Sequence, residues 1–202
     1  MSSIRKVAEV GRKVLTVGVS GVTCGGKSSI TNLLKKKYPQ ATFICQDDFY
    51  FPEAHSLPVI ASDGSGRVNW DTLDSIDMDS MTKKARDTLN ALSNHASPSK
   101  RLLIIDGFLI FNYAPLAELC DLKYFITLPF EECHSRRRKR NYIPPDPEGY
   151  FVDIAWPMYL AHLKEMRESS FADKIQYLNG TLSLEENLKR ILRDMQTYLD
   201  DM

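Results

Sequence analysis

Eight consecutive residues, Gly21-Val22-Thr23-Cys24-Gly25-Gly26-Lys27-Ser28, limit this chain more than any other feature. They match GxxxxGK[ST] in full and stand between the apolar run Leu15 to Val19 and a helical pattern from Ser28 to Lys37. The glycines let the backbone curl until successive N–H groups point inward, which makes a nest for phosphate oxygens. Lys27 brings a charge to the β- and γ-phosphates. Ser28 offers a hydroxyl to Mg²⁺, with Ser29 beside it, and opens a helix whose dipole favours anions. A chance glycine turn is the competing reading, and the order strand, loop, helix argues against it.

The rest of the chain keeps that rhythm. Thr42 to Cys45, Leu102 to Ile105, Tyr124 to Leu128 and Lys174 to Leu178 read as further short strands. Helical patterns fall between and after them, at Asp71 to Leu92, Glu131 to Asn141, Asp153 to Glu168 and Leu184 to Tyr198. Strands alternating with helices predict a parallel sheet of about five strands covered on both faces, an α/β protein of the P-loop NTPase fold. The 202 residues suit one domain over 1–202. Two stretches read as mobile loops, Pro52 to Val68 and the proline-rich Tyr142 to Phe151, the second belonging to a lid over about 136–152.

Composition excludes several classes. The formal net charge is zero, so no global field draws the chain to nucleic acid or membrane, and any anion site is local. The apolar runs are too short to span a bilayer, and the first thirteen residues lack a signal-peptide core. Cys24, Cys45, Cys120 and Cys133 show no CxxC spacing, which argues against zinc and for free thiols in a reducing compartment. The expectation is an intracellular, cytoplasmic monomer or small homo-oligomer. His55, His95, His134 and His162 have no partners at metal-ligand spacing and read as surface or packing residues.

Four features can complete a site, and open α/β sheets bind ligands at the carboxyl ends of their strands. Asp106 ends the apolar strand Leu102 to Ile105, the Walker-B pattern that brings a carboxylate to the metal. Gln46-Asp47-Asp48-Phe49-Tyr50 follows the second strand, and Asp47 is the candidate to take a proton from an acceptor hydroxyl. Asn69-Trp70-Asp71 offers a ring for stacking on a base and a carboxylate for ribose hydroxyls. By pattern alone Asp71 is better read as a helix N-cap, with Asp74 three residues on, although one side chain can serve both ends. The run Ser135-Arg136-Arg137-Arg138-Lys139-Arg140 lies on a predicted helix that feeds the proline-rich loop, with Arg136 and Arg140 on one face. A solvated basic face is the ordinary meaning of such a run. Its position favours arginines on a closing lid that clamp transferring phosphate.

With these residues placed, the chain resembles the nicotinamide riboside kinases, a branch of the uridine kinase-like P-loop kinases. The resemblance runs from about Val14 to Leu199. It is carried by Gly18 to Thr23, Gln46 to Tyr50, Gly107 to Tyr113, Tyr142 to Asp146, Gly149-Tyr150-Phe151 and Trp156-Pro157-Met158-Tyr159. It implies transfer of a phosphoryl group from ATP, with Mg²⁺, to the ribose 5′-hydroxyl of nicotinamide riboside, a step toward NAD, with nicotinic acid riboside as a second substrate. It implies Asp47 as general base and magnesium neighbour, with Lys27 and Arg136 joining it in catalysis and Ser28 and Asp106 at the metal. Asp47, Asp48, Phe49, Tyr50, Trp70, Asp71, Arg137 and Tyr142 are the implied substrate contacts. Arg136, Arg140, Asn141 and Tyr142 are the implied ATP contacts from the lid, and Leu182, Ser183 and Leu184 the adenine rim. The chain departs from the family's usual pattern at Trp70, where tyrosine is usual, at Asp106, where glutamate is common, and in a one-residue insertion at Leu182 to Leu184.

Three rival readings stay in view, one of them a nucleic-acid-binding protein that uses the arginine run, which salt-sensitive RNA or DNA binding would reveal. A uridine or cytidine kinase shares the fold and chemistry and differs mainly in the base pocket. A P-loop switch protein that hydrolyses GTP would carry an Asn-Lys-x-Asp motif, and the sequence has none.

Overall fold

The computed structural model describes residues 14–52, 67–94, 101–140 and 145–201. Five parallel strands form its centre: β1 (Val14–Gly21), β2 (Thr42–Cys45), β3 (Arg101–Asp106), β4 (Leu122–Thr127) and β5 (Ile175–Asn179), in the spatial order β2-β3-β1-β4-β5. Every residue of β1 is buried, which explains its apolar and β-branched run. Around the sheet lie α1 (Lys27–Lys37), α2 (Met78–Asn94), α3 (Ala114–Ala117), α4 (Phe130–Arg138), α5 (Trp156–Arg167) and α6 (Leu184–Asp201).

The period of two along β3 divides the core. Leu102 and Ile104 face the layer holding Ile30 and Leu34 of α1 and Ile191 and Met195 of α6. Leu103 and Ile105 face Met81 and Ala85 of α2 and Leu163 and Met166 of α5. Helices therefore cover both faces, as the alternating pattern requires. A third cluster joins Val22 of the glycine loop to Cys133 of α4 and to Tyr150, Phe151 and Ile154. The strand register matters for function. Val19 of β1 and Cys45 of β2 both pair with Asp106, so β2 and β3 end together and β1 runs two residues further into the glycine loop.

Several boundaries differ from the sequence expectation. The helix expected from Asp71 begins at Met78, after a 3₁₀ turn at Leu73–Ser75. Its N-terminal carboxylate is Asp77, whose Oδ1 accepts from the Ser80 N–H at 2.9 Å. The basic helix ends at Arg138, so Arg136 and Arg140 do not share a helical face. Arg140 lies in the closing turn, donating its N–H to the Arg137 carbonyl at 3.0 Å. The helix expected from Asp153 opens as a π turn, Phe151–Ala155, before α5 begins with Pro157 in its first turn. The short helix α3 was not anticipated. Most of the loop expected at 52–68, and residues 141–144 of the lid, lie outside the described residues. Among the described residues no helix is long and apolar enough to cross a membrane.

Candidate active site

The glycine loop follows directly from the end of β1. Val22 donates its N–H to the Ile126 carbonyl at 3.0 Å, and Gly25 donates to the Val22 carbonyl at 3.1 Å. Gly21 (φ 137°), Cys24 (φ 57°) and Gly26 (φ 102°) take positive φ values. A Cβ at Gly21 would stand 2.3 Å from the Ile126 carbonyl oxygen, so that glycine is required by space as well as by backbone. At Gly26 the space is open and the backbone conformation alone demands glycine.

Lys27 folds back over this loop. Its Nζ donates to the carbonyls of Gly21 at 2.9 Å and Val22 at 3.0 Å. Burial lowers its pKa from the ordinary lysine value, and the negative charges of Asp47 and then Asp106 pull it back up. Asp106 Oδ2 accepts from the Thr31 hydroxyl of α1 at 3.3 Å. Burial raises its carboxyl above the usual range, while bonds from the Cys45 thiol and Thr31 and the charge of Lys27 oppose that rise. The Cys45 thiol is itself pushed up to about 12, first by burial and then by Asp106. The sequence-assigned residues Lys27, Asp47 and Asp106 thus share one electrostatic neighbourhood, next to the exposed Ser28 and Ser29.

Asp47 sits on a 3₁₀ turn, Gln46–Phe49, fixed from below. The buried Gln46 accepts from the Leu109 N–H through Oε1 at 3.1 Å, and its Nε2 lies 3.2 Å from the Met78 sulfur. Gly107 makes room for it, since a Cβ there would meet the Gln46 Cβ at 2.4 Å. Asp47 and Asp48 are exposed, while Phe49 and Tyr50 are partly buried. Tyr50 stacks on Phe108 at 6.5 Å between centroids and meets Trp70 edge-on at 6.2 Å.

Asp71 does not cap a helix, against the reading its local pattern favoured. Its Oδ2 accepts from the Tyr150 hydroxyl at 2.8 Å, across 79 residues of sequence. Burial raises its pKa above the ordinary carboxylate value, against the Tyr150 hydrogen bond and the charge of Arg137. Between Asp71 and the glycine loop lies a crevice of about 20 Å³, lined in part by Thr23, Asn112, Tyr159 and His162. That is room for about one water molecule.

Arg137 ties the parts together. Its Nε and one terminal nitrogen donate to the two oxygens of Asp146 at 2.7 and 3.2 Å, and the other nitrogen donates to Thr23 Oγ1 at 3.2 Å. The guanidinium lies 5.7 Å from the Tyr150 ring and is 8% exposed, so it acts as a buried brace between the glycine loop and Asp146. Arg136 pairs with Glu132 at 2.5 Å and points a nitrogen at the Cys24 carbonyl at 3.5 Å. Arg140 is exposed, and its charge is felt at Lys27. Leu182, Ser183 and Leu184 are exposed on the turn into α6, where Ser183 and Glu186 form a capping box: Glu186 N–H donates to Ser183 Oγ at 3.2 Å and Ser183 N–H to Glu186 Oε2 at 3.0 Å. Asn141 and Tyr142 lie outside the described residues. The sequence reading gave no role to Tyr150, Thr31 or Asp146. Tyr150 stands in the motif Gly149-Tyr150-Phe151, but no local pattern gives its hydroxyl a partner so distant in sequence.

The chain matches no protein-family model. Nicotinamide riboside kinase 1 of Rattus norvegicus is 38% identical over 195 residues, covering 93% of this chain and 97% of the relative. The chain belongs to the nicotinamide riboside kinases. The Homo sapiens nicotinamide riboside kinase 1 is 36% identical over 190 residues, covering 91% of this chain and 92% of its own length. A uridine kinase of Chlamydia pneumoniae is more distant, at 25% over 200 residues, with 87% of this chain and 86% of that one covered. Among solved structures, thymidylate kinase of Candida albicans matches with a TM-score of 0.59 at 13% identity, covering 94% of each chain, which supports the P-loop kinase fold.

The residues gathered here fit ATP and Mg²⁺. A curled loop with positive-φ glycines and a desolvated lysine suits phosphate. Ser28, Asp47 and Asp106, the residues expected at the metal, carry a hydroxyl and two carboxylates, hard oxygen donors of the kind that suit magnesium beside phosphate oxygens.

Proposed function

We propose that the chain phosphorylates nicotinamide riboside, and nicotinic acid riboside as a second substrate, at the ribose 5′-hydroxyl with ATP as donor. The observation that carries the chemistry is geometric: Lys27 is folded onto the Gly21 and Val22 carbonyls of a positive-φ loop, and Asp106 pairs in register with Cys45, two residues before Asp47, on the adjacent strand. In this reading Asp47 takes the proton, Asp106 faces the metal and Lys27 faces the phosphates. The preference for a pyridine riboside rests on the 36–38% identity to kinases of that name over nearly the whole chain.

In this reading the N–H groups of Gly26, Lys27 and Ser28, at the end of the loop, cradle the phosphates, while those of Val22 and Gly25 hold the loop in shape. Lys27 leaves its carbonyl partners for the β- and γ-phosphate oxygens, where charge must be stabilised during transfer. Ser28, Asp47 and Asp106 would hold Mg²⁺, which neutralises phosphate charge and aligns the γ-phosphoryl group. Asp47 accepts the proton of the 5′-hydroxyl as its oxygen bonds to the γ-phosphorus and the bond to the β,γ-bridging oxygen breaks, leaving ADP and the mononucleotide. Asp71 takes the ribose hydroxyls, and Trp70 with Tyr142 flanks the cationic pyridinium ring. Arg136 and Arg140 reach the ATP phosphates from the lid over about 136–152, and Arg137 holds the substrate side. Leu182 to Leu184 border adenine, a role compatible with the cap that Ser183 makes.

We further infer one domain over 1–202, acting as an intracellular, cytoplasmic monomer or small homo-oligomer without a nucleic-acid partner. Four free cysteines and a net charge of zero support this. A coupled ATP assay across nicotinamide riboside, nicotinic acid riboside, uridine and cytidine tests the proposal. The expected result is highest kcat/KM for the pyridine ribosides. The relation to a uridine kinase makes the pyrimidine nucleosides the informative controls, and a higher kcat/KM for uridine or cytidine would overturn the substrate assignment.

A further inference from the structure

Trp70 and Asp71 lie in neither strand nor helix, so no backbone ladder satisfies their polar groups. Side chains hold all four. The Trp70 N–H donates to the Tyr150 hydroxyl at 2.9 Å. The Trp70 carbonyl accepts from Ser75 Oγ at 2.9 Å and from the Tyr50 hydroxyl at 3.3 Å. The Asp71 N–H donates to Asn69 Oδ1 at 3.0 Å. The Asp71 carbonyl faces His162 Nε2 at 3.0 Å, across 91 residues of sequence.

The last of these clamps is the one that comes from α5. The His162 side chain is only 12% exposed, and it lines the crevice that Asp71 also lines. Its other ring nitrogen, Nδ1, lies 3.2 Å from Glu165 Oε2 one helical turn on. The amide of Asn112, after β3, donates to the His162 carbonyl at 2.8 Å and to the same Glu165 oxygen at 3.3 Å. The imidazole is thus oriented from its own helix and from the neighbouring turn. A carbonyl oxygen and a carboxylate oxygen only accept, so the bond to Asp71 needs a proton on Nε2, and the Glu165 contact is a hydrogen bond as well when Nδ1 is also protonated.

We propose that His162 is a positioning residue of the riboside site: by donating Nε2–H to the Asp71 carbonyl it fixes the loop so that the Asp71 carboxylate stays aimed at the ribose hydroxyls. The inference rests on the reading of Asp71 as the ribose ligand. Tyr150 holds one carboxylate oxygen and the Trp70 N–H, on the N-terminal side of Asp71, whereas the carbonyl side of Asp71 is held by His162. Misplacing such a group by a fraction of an ångström weakens substrate binding before it touches the chemistry at phosphorus.

Two variants test this, His162→Ala and His162→Gln, the second because its amide N–H can reach the same carbonyl. His162→Ala is expected to raise KM for nicotinamide riboside about five- to tenfold, the scale of one lost hydrogen bond. KM for ATP and kcat at saturation should stay within about twofold, the signature of lost substrate binding alone. His162→Gln should recover most of the loss. In the ligand-free protein, amide exchange at Trp70 and Asp71 should quicken in His162→Ala and slow again in His162→Gln. Unchanged KM and exchange in His162→Ala would overturn the proposal. Equal damage in both variants would also overturn it, because ring packing would then be the cause. If the parent protein turned over no riboside, the functional reading would fail on its own, while the exchange measurement would still decide whether His162 clamps Asp71.

Discussion

The two halves of the site are built by different means. The phosphate half is made of consecutive backbone: the Gly21 to Ser28 loop curls because of its own φ angles, and its lysine bonds carbonyls five and six residues away. The acceptor half is made of side chains brought from afar. Asp71 depends on Tyr150 and His162, and the turn bearing Asp47 depends on Gln46 wedged against Gly107 and Leu109. A site of the first kind survives in any chain that keeps the motif. A site of the second kind can change its substrate by altering one distant contact, without disturbing the phosphate machinery.

The largest effect is expected at Lys27. Lys27→Ala should lower kcat on the order of a thousandfold, as expected when a preorganised cationic donor is removed, while thermal melting stays near that of the parent. Near-normal turnover in a folded variant would mean that the loop backbone alone suffices, and would break the phosphate half of the comparison. Asp47→Asn should cost on the order of a hundredfold in single-turnover transfer, with nucleotide binding retained, because an amide keeps the shape but accepts no proton. Asp48→Asn should be milder, and a larger loss there would give the acceptor role to the other carboxylate.

Arg137 sharpens the contrast, because it touches both halves. Arg137→Ala frees Asp146 and Thr23 together, so catalysis should fall roughly tenfold, with reduced stability from a broken, largely buried pair. Lys139→Ala, at an exposed position of the same run, should leave both within error. Equal behaviour of the two variants, measured by kcat/KM and by urea midpoint, would reduce the arginine run to a charged face. The smallest effect concerns the base. Trp70→Leu should cost nicotinamide riboside about 1–2 kcal/mol more than uridine in kcat/KM, because only the pyridinium gains a cation–π contact. Equal losses would point to plain apolar packing.

The same division explains what the sequence disclosed. The five-stranded parallel sheet, the alternation of strands and helices and the phosphate loop follow from contiguous patterns, whereas helix ends shift and the short α3 carries no such pattern. Asp71 shows where local reading fails. The spacing Asp71 to Asp74 and the spacing Asp77 to Ser80 both look like the start of a helix, and α2 uses the second. Nothing near Asp71 reveals that a tyrosine hydroxyl 79 residues on will bond its carboxylate. Likewise Arg136 and Arg140 share a face only if the helix continues past Arg138, and the chain turns there. The histidines read as bland for a related reason, since His162 acquires its partner only when α5 packs beside the Trp70–Asp71 loop.

The brace at Arg137 has a thermodynamic consequence. Its guanidinium bonds Thr23 in the nucleotide loop and Asp146, and lies over the Tyr150 ring that reaches Asp71. The two substrates are therefore bound by parts of one connected body. Linkage makes any such connection symmetric: whatever factor bound ATP applies to the affinity for riboside, bound riboside must apply to the affinity for ATP. While the brace holds, the product of the two single-ligand affinities does not describe the ternary complex, and a substitution that loosens it brings the coupling factor toward one for both ligands alike.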